Sequence, residues 1–236
     1  MSKSNAPRAL RPRRRPRATS SPPACTEELA LVTGATRSGK TYGVAERVKR
    51  EPRVLVWGVK ADFSRFYGFS ATSDASALHA VCVSTRPVRL EYTAPATAAQ
   101  FELWCRLAWV WIRANAAAGQ SVCLVVDELA DVTSPGKAPV AWGEIVRKAM
   151  EHRPRIYALT QRPAESDKTI VGNCFTIRCY AMSRAEDRRA MAKELDVRQE
   201  LVDALRHDRK EWLERSLVTR RLTTGGKGLP TRELVG

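Results

Sequence analysis

The sequence predicts an α/β domain with a mainly parallel central sheet flanked by helices, and three observations predict it. Short apolar runs alternate with segments of helical period from residue 28 to about residue 206. A glycine-bounded loop, Gly34 to Thr41, joins the first apolar run to the first helical segment. A run apolar on both faces, Ser121 to Val126, leads straight into Asp127 and Glu128. Such a run suits a central parallel strand, and its carboxyl end is where open α/β sheets bind ligands.

In chain order, Leu29–Thr33 reads as a short buried strand and Lys40–Arg50 as a helix beginning directly after the loop. Arg53–Trp57 is a second strand, stopped by Gly58. Residues 62–76 mix Phe63, Phe66, Tyr67 and Phe69 with small polar residues and show no assignable period. Leu78–Val83 and Val88–Tyr92 read as two short apolar runs about a turn at Pro87. A long helix follows near 97–118, with Glu102, Arg106 and Arg113 on one face and Gly119 as its stop. After the strand 121–126 come a loop at 133–139, a helix at 140–152 and a strand Arg155–Thr160 closed by Gln161-Arg162-Pro163. The last third reads as a helix at 164–171, a strand at 174–181, helices at 184–195 and 197–206, and a strand within 211–222.

The domain plan is therefore a basic arm over 1–26, one compact domain over 27–222 and a glycine-rich, frayed tail over 223–236. The 236-residue length suits one domain better than two. The arm is rich in Arg, Pro and Ser with almost no apolar content, so it cannot offset the entropy of ordering and reads as disordered.

A net charge of +15 and a pI near 10.1 point to a polyanionic partner. Lys3, Arg8, Arg11, Arg13, Arg14, Arg15 and Arg17 precede the first acidic residue, Glu27. Without those seven, 33 of the 40 basic residues remain against 25 acidic ones, so the body is still +8. An arm of this kind neutralises phosphates and releases counterions, although it also serves as a plain solubilising extension. The six cysteines include no C-x-x-C pair and lie mostly in apolar runs, which favours buried free thiols over zinc ligands or disulfides. No apolar segment follows the basic N-terminus as a secretory signal would require, and the most apolar stretch, 101–118, carries three charges. No membrane span is expected.

Gly34-Ala35-Thr36-Arg37-Ser38-Gly39-Lys40-Thr41 matches G-x-x-x-x-G-K-[ST] at every fixed position, between a predicted strand and a predicted helix. Glycines let backbone N–H groups wrap phosphates, and the helix N-terminus adds partial positive charge. Lys40 reaches the terminal phosphates and the Thr41 hydroxyl faces a Mg²⁺ ion. Asp127 is placed to hold that ion, and Glu128 to polarise the attacking water as a general base. Gln161 ends the next strand. Were that strand to lie between the loop strand and the Asp127 strand, its amide would point at the γ-phosphate or the water; otherwise Gln161 is a strand terminator. Arg147, Arg153 and Arg155 stand just upstream as candidates for a finger reaching a neighbouring subunit's ATP, or as solvated cations.

Three blocks, VTGATRSGKT, VVDELADV and YALTQRPAESDKTIVGNCFTIRCYAMSRAEDRRAMAKEL, resemble the HerA/FtsK superfamily of hexameric DNA-pumping ATPases over residues 28–200. Within it the short chain looks most like the genome-packaging ATPases of tailless, membrane-containing icosahedral phages of the tectivirus kind. The resemblance implies a RecA-like P-loop NTPase domain of the additional-strand, catalytic-glutamate type. It implies ATP and Mg²⁺ at Lys40, Thr41, Asp127, Glu128 and Gln161, and ATP hydrolysis coupled to movement of double-stranded DNA. It further implies a homo-oligomeric ring, a hexamer, working with capsid-vertex or portal and membrane proteins, in the virion and the host cytoplasm. Members often carry an arginine eleven residues before the glutamine; here that residue is Met150, which leaves Arg147 or Arg153 for the finger.

Alternatives stay open at this point. Plasmid-transfer, DNA-repair and filamentous-phage assembly ATPases share the superfamily. A nucleotide-switched DNA-binding or scaffold protein would keep the loop with little turnover. A small-molecule kinase would share the loop too, but has no clear use for the +15 charge.

Overall fold

The computed structural model describes residues 28–136 and 138–234. The basic arm therefore lies outside the described residues. The elements run β1 (Glu28–Thr33), α1 (Lys40–Val48), β2 (Arg53–Trp57), α2 (Asp62–Tyr67), β3 (Ser70–Thr72), α3 (Ala75–Cys82), β4 (Val88–Tyr92) and α4 (Ala98–Ala117). They continue with β5 (Cys123–Val126), α5 (Val140–Lys148), β6 (Arg155–Thr160), α6 (Lys168–Asn173), β7 (Thr176–Tyr180), α7 (Ala185–Glu194), α8 (Gln199–Asp203), β8 (Trp212–Ser216), β9 (Leu222–Gly226) and β10 (Leu229–Leu234).

The strands form one sheet in the order β10-β9-β8-β7-β1-β6-β5-β2-β4-β3. From β3 to β7 every pairing is parallel, and β8, β9 and β10 add an antiparallel extension beyond β7. This is the α/β architecture with a mainly parallel sheet that the sequence pattern predicts, and it agrees with the RecA-like P-loop domain that the resemblance implies. The extra strand β6 lies between β1 and β5, with Thr33 level with Thr160 and Val126 level with Ala158. The carboxyl ends of the loop strand, the acid strand and the Gln161 strand are thereby brought side by side.

Alternating residues serve two layers of core. Leu29 and Leu31 point to the face covered by α3, α4, α5 and α6, where Trp57, Phe101, Trp104, Trp111 and Trp142 are fully buried. Ala30 and Val32 point to the opposite face, against Val44, Ala45 and Val48 of α1 and Phe63 of α2. In α4 the buried residues Phe101, Trp104, Cys105, Ala108, Trp111, Ile112 and Asn115 recur at helical spacing, and Thr97 caps its start by accepting from the Gln100 N–H. Glu102, partly buried against α5, accepts from the Ala141 N–H at 3.1 Å and pairs with Arg106 one turn on, at 3.2 Å.

Three readings of local structure are corrected. Leu78–Val83 is not an extended apolar run; Leu78–Cys82 lies in α3 and Val83 caps its end, and Asp74 starts the helix by accepting from the Ser76 N–H at 2.9 Å. The helix expected at 164–171 begins only at Lys168, because Asp167 accepts from the Thr169 N–H at 2.9 Å and so fixes the first turn there. Finally, the tail expected over 223–236 contains strands β9 and β10. Gly228, at φ +73°, supplies the left-handed residue of their turn, Thr224 Oγ1 donates to the Trp212 carbonyl at 2.9 Å, and Arg221 pairs with Glu233 across the hairpin.

Candidate nucleotide-binding site

The loop after β1 can curl as it does because of its glycines. Gly34 has φ +152°, and a Cβ there would stand 2.6 Å from both Ser38 Oγ and Tyr180 Cβ. Gly39, at φ +110°, is the residue from which α1 starts. The start of the loop is pinned from two strands: Gly34 N–H donates to the Thr160 carbonyl at 3.3 Å and Ala35 N–H to the Ala181 carbonyl at 2.9 Å. Lys40 folds back into the loop, its Nζ donating to the carbonyls of Gly34 at 2.7 Å and Ala35 at 3.1 Å. Ser38 Oγ is buried and has no hydrogen-bond partner, so a polar group inside the curl is still to be matched. Thr41 stands half-buried in the first turn of α1. The residues read as phosphate-binding, 34–41, thus form one contiguous cradle.

Across the sheet, Asp127 follows β5 directly and its N–H donates to the Trp57 carbonyl at 2.8 Å, which continues the ladder one residue further. Glu128 is buried and sits at φ +66°, ψ +74°, a left-handed conformation that costs a non-glycine residue of order 1–3 kcal/mol. That strain turns its carboxylate toward the end of β6. There Oε1 accepts from Thr160 Oγ1 at 3.1 Å and from the Gln161 N–H at 2.9 Å. Thr160 in turn bonds Ser166 Oγ at 2.9 Å. The Gln161 side chain reaches the loop itself, Oε1 accepting from Thr36 Oγ1. Lys40, Asp127, Glu128 and Gln161, picked from separate motifs, therefore share one site.

The electrostatics agree with that proximity. Burial pulls the Lys40 ammonium down to about 8, against the opposing pull of Glu128 and Asp127. Burial pushes the Asp127 carboxyl up to about 7; Lys40 opposes the shift, and Asp62 and Glu128 add to it. Lys60, exposed after β2, contributes its positive charge to both groups. The site thus gathers buried and half-buried charges of both signs at a helix N-terminus, which suits a polyanion carrying a hard cation. Among the described residues no cluster of three or more His, Cys, Asp or Glu exists to cage a metal. A Thr hydroxyl and one Asp carboxylate match Mg²⁺, which takes few protein ligands and completes its shell with phosphates and water.

Several residues at the site carry no motif. Thr160 and Ser166 were invisible as partners of Glu128, since a Thr at a strand end is ordinary. The loop 206–210, between α8 and β8, crosses the outside of the glycine loop: His207 Nε2 lies 2.9 Å from the Thr36 carbonyl, and Lys210 Nζ donates to the Arg37 carbonyl. Tyr180 packs beneath Gly34, Gly39 and Gly43. Arg37, within the loop, adopts φ +60°, and its carbonyl is the acceptor of the Lys210 bond.

The arginine candidates are not at the site of their own chain. Arg147 is exposed in the last turn of α5, the end that leads through Arg153 into the start of β6. Arg153, also exposed, lines an open cleft with Gly119 and Gln120 just before the starts of β5 and β6, at the end of these strands away from the glycine loop. Arg155 is taken up by an ion pair with Glu51.

No protein-family model matches the chain. It is 35% identical over 173 residues to protein P9 of Pseudoalteromonas phage PM2, an alignment covering 71% of this chain and 74% of that protein. The chain belongs to the family of that phage protein, and with it to the HerA/FtsK superfamily. Its fold is similar to that of the genome-packaging NTPase B204 of Sulfolobus turreted icosahedral virus 2 in complex with ATPγS. The TM-score is 0.67 at 14% identity, over 84% of this chain and 96% of that one. The B204 DNA-packaging ATPase of Sulfolobus turreted icosahedral virus gives 0.66 at 15% identity, over 85% and 97%. No helix of the described residues is long and apolar enough to cross a membrane.

Proposed function

We propose that the protein hydrolyses ATP and uses the cycle to drive double-stranded DNA into a preformed viral capsid. The observation that carries this is the placement of β6 between β1 and β5, which sets Glu128 and Gln161 beside the glycine loop. A loop alone binds nucleotide; a buried carboxylate held against it by two donors is equipped for turnover. Its family membership and basic surface support the packaging assignment.

In this reading the N–H groups of residues 34–41 and the start of α1 hold the β- and γ-phosphates, and Lys40 donates to their oxygens. Thr41 and Asp127 hold Mg²⁺, which when bound offsets charge on the phosphates. Glu128 accepts the proton of the attacking water, with Thr160 and the Gln161 N–H fixing the carboxylate's direction. The Gln161 side chain, on Thr36, links the loop to β6 and registers the state of the γ-phosphate. A ring, with six subunits as the working number, lets Arg147 or Arg153 of one subunit serve its neighbour's site. DNA is gripped through its phosphates, and capsid-vertex or portal and membrane proteins anchor the ring at the virion vertex, after assembly in the host cytoplasm.

The test is ATPase activity of the full chain with and without double-stranded DNA. Stimulation by DNA of any sequence, falling steeply with salt and absent in Lys40→Ala, is the expected result. Salt-insensitive, sequence-specific binding would overturn the translocase reading. Tight ATP binding without turnover, unchanged by Glu128→Gln, would favour a nucleotide-switched scaffold instead.

A further inference from the structure

The glycine loop, Asp127, Glu128 and Gln161 account for a triphosphate and leave the rest of the nucleotide without a place. Strand order supplies a direction. Asp127, Glu128 and Gln161 all lie on the β6–β5 side of β1, so the γ-phosphate faces that side. The nucleoside end must then leave on the other side, toward β7 and the antiparallel extension. A groove of about 830 Å³ opens there, beginning at Gly39 and the first turn of α1. That size is in the range of small-molecule sites.

The extension makes this groove. α1 packs on the sheet beside Tyr180 of β7, and the space between α1 and the strands of the extension is walled by Tyr42, Tyr180, Lys210, Trp212, Lys227 and Thr231. The walls are tied to the glycine loop. Lys210 Nζ donates to the Arg37 carbonyl, its side chain passes within 3.4 Å of where a Gly39 Cβ would stand, and the Lys227 N–H donates to the Arg209 carbonyl at 2.7 Å. Three aromatic side chains, Tyr42, Tyr180 and Trp212, line the groove. Tyr42 is 58% exposed, whereas Trp212 is held in place by the Arg178 guanidinium, 3.8 Å over its ring.

We propose that this groove is the nucleoside site of the ATPase: the base stacks on Tyr42, and Lys210 and Lys227 flank the ribose and α-phosphate. The site is built by the C-terminal hairpin β9–β10 and the 206–210 loop, so those segments belong to the nucleotide-binding machinery. The inference rests on the ATP-site reading above.

Calorimetric titration of the full chain with MgATP and, separately, with inorganic tripolyphosphate tests it. Tripolyphosphate carries no ribose or base, so it probes the phosphate contacts alone. Tyr42→Ala is expected to weaken ATP about tenfold and leave tripolyphosphate unchanged, as loss of one base–aromatic stack requires. ATP, but not tripolyphosphate, is expected to change tryptophan fluorescence, and Trp212→Phe to remove that change. Tyr42→Ala leaving ATP affinity intact, or weakening both ligands alike, overturns the proposal, as does a fluorescence change that persists in Trp212→Phe. Lys40→Ala separates the two readings. If it weakens tripolyphosphate while Tyr42→Ala is silent, only the nucleoside site fails; if it affects neither ligand, the ATP-site reading itself fails.

Discussion

The backbone N–H of Gln161 donates to Glu128 Oε1 at 2.9 Å, so the residue read as a base and the residue read as a sensor are joined through the main chain. Any shift at the end of β6 must therefore move the carboxylate, and any shift of the carboxylate must strain β6. Two linked groups at the ends of adjacent strands are a compact way to couple chemistry to movement.

Thr160 is the second donor to that oxygen, and its removal separates positioning from chemistry. Thr160→Val leaves a buried carboxylate short of one hydrogen bond, which costs about 1–3 kcal/mol of stability in a denaturant titration. Turnover should fall while ATP affinity holds, and Thr160→Ser should restore both stability and rate. Glu128→Gln should abolish hydrolysis yet retain ATP binding; turnover at the wild-type rate would remove Glu128 from the base role.

Gly43 looks replaceable, since alanine in a helix interior is worth about 1 kcal/mol over glycine. The structure predicts the opposite, because an added Cβ meets the Tyr180 hydroxyl at overlapping distance. Overpacking of about 1–3 kcal/mol exceeds the propensity gain, so Gly43→Ala should lower the unfolding midpoint. Tyr180→Phe removes the clashing atom and should recover most of the loss. A double-mutant cycle showing no coupling between 43 and 180 would refute this packing account.

The parallel part of the sheet was legible because its signals are local. Apolar runs of four to six residues, a glycine loop and an acid pair each declare themselves within one segment. Lys40, Asp127, Glu128 and Gln161 were legible for the same reason. The residues that were not legible act through contacts far apart in sequence: His207 on Thr36, Lys210 on Arg37, and Tyr180 beneath three glycines. The β9–β10 hairpin was misread because its glycine-rich composition resembles a tail, while its order comes from pairing with β8 and from the Arg221–Glu233 pair.

Burial also sets thiol chemistry. Cys82, Cys174 and Cys179 are each pushed up to about 12 by burial, and Cys105 well above its ordinary value. An unfolded thiol ionises near pH 8.5. The folded state therefore holds its protons more tightly, so these thiols favour folding below that pH and progressively less as pH rises toward 12. At pH 8 the five described cysteines, all buried, should resist maleimide until denaturant is added. Rapid native labelling at any of the five would contradict the packing.

The helix that opens the nucleotide site is also fastened to the extension that walls the proposed nucleoside groove. Arg47 of α1 pairs with Glu28 of β1 at 2.7 Å and with Glu214 of β8 at 2.5 Å, and Arg178 of β7 holds Glu214 at 2.7 Å. Breaking a fully buried pair costs about 3–5 kcal/mol. Here the side chains are 18–25% exposed, Glu214 keeps Arg178 and Glu28 keeps the Tyr157 hydroxyl. Arg47→Met should therefore cost less, about 1–3 kcal/mol by denaturant titration. If α1 and β8 communicate through Arg47, the variant should also loosen the 206–210 loop, seen as faster amide exchange at residues 210–212 than in wild type. Unchanged exchange there, alongside reduced stability, would confine Arg47 to holding the helix on the sheet.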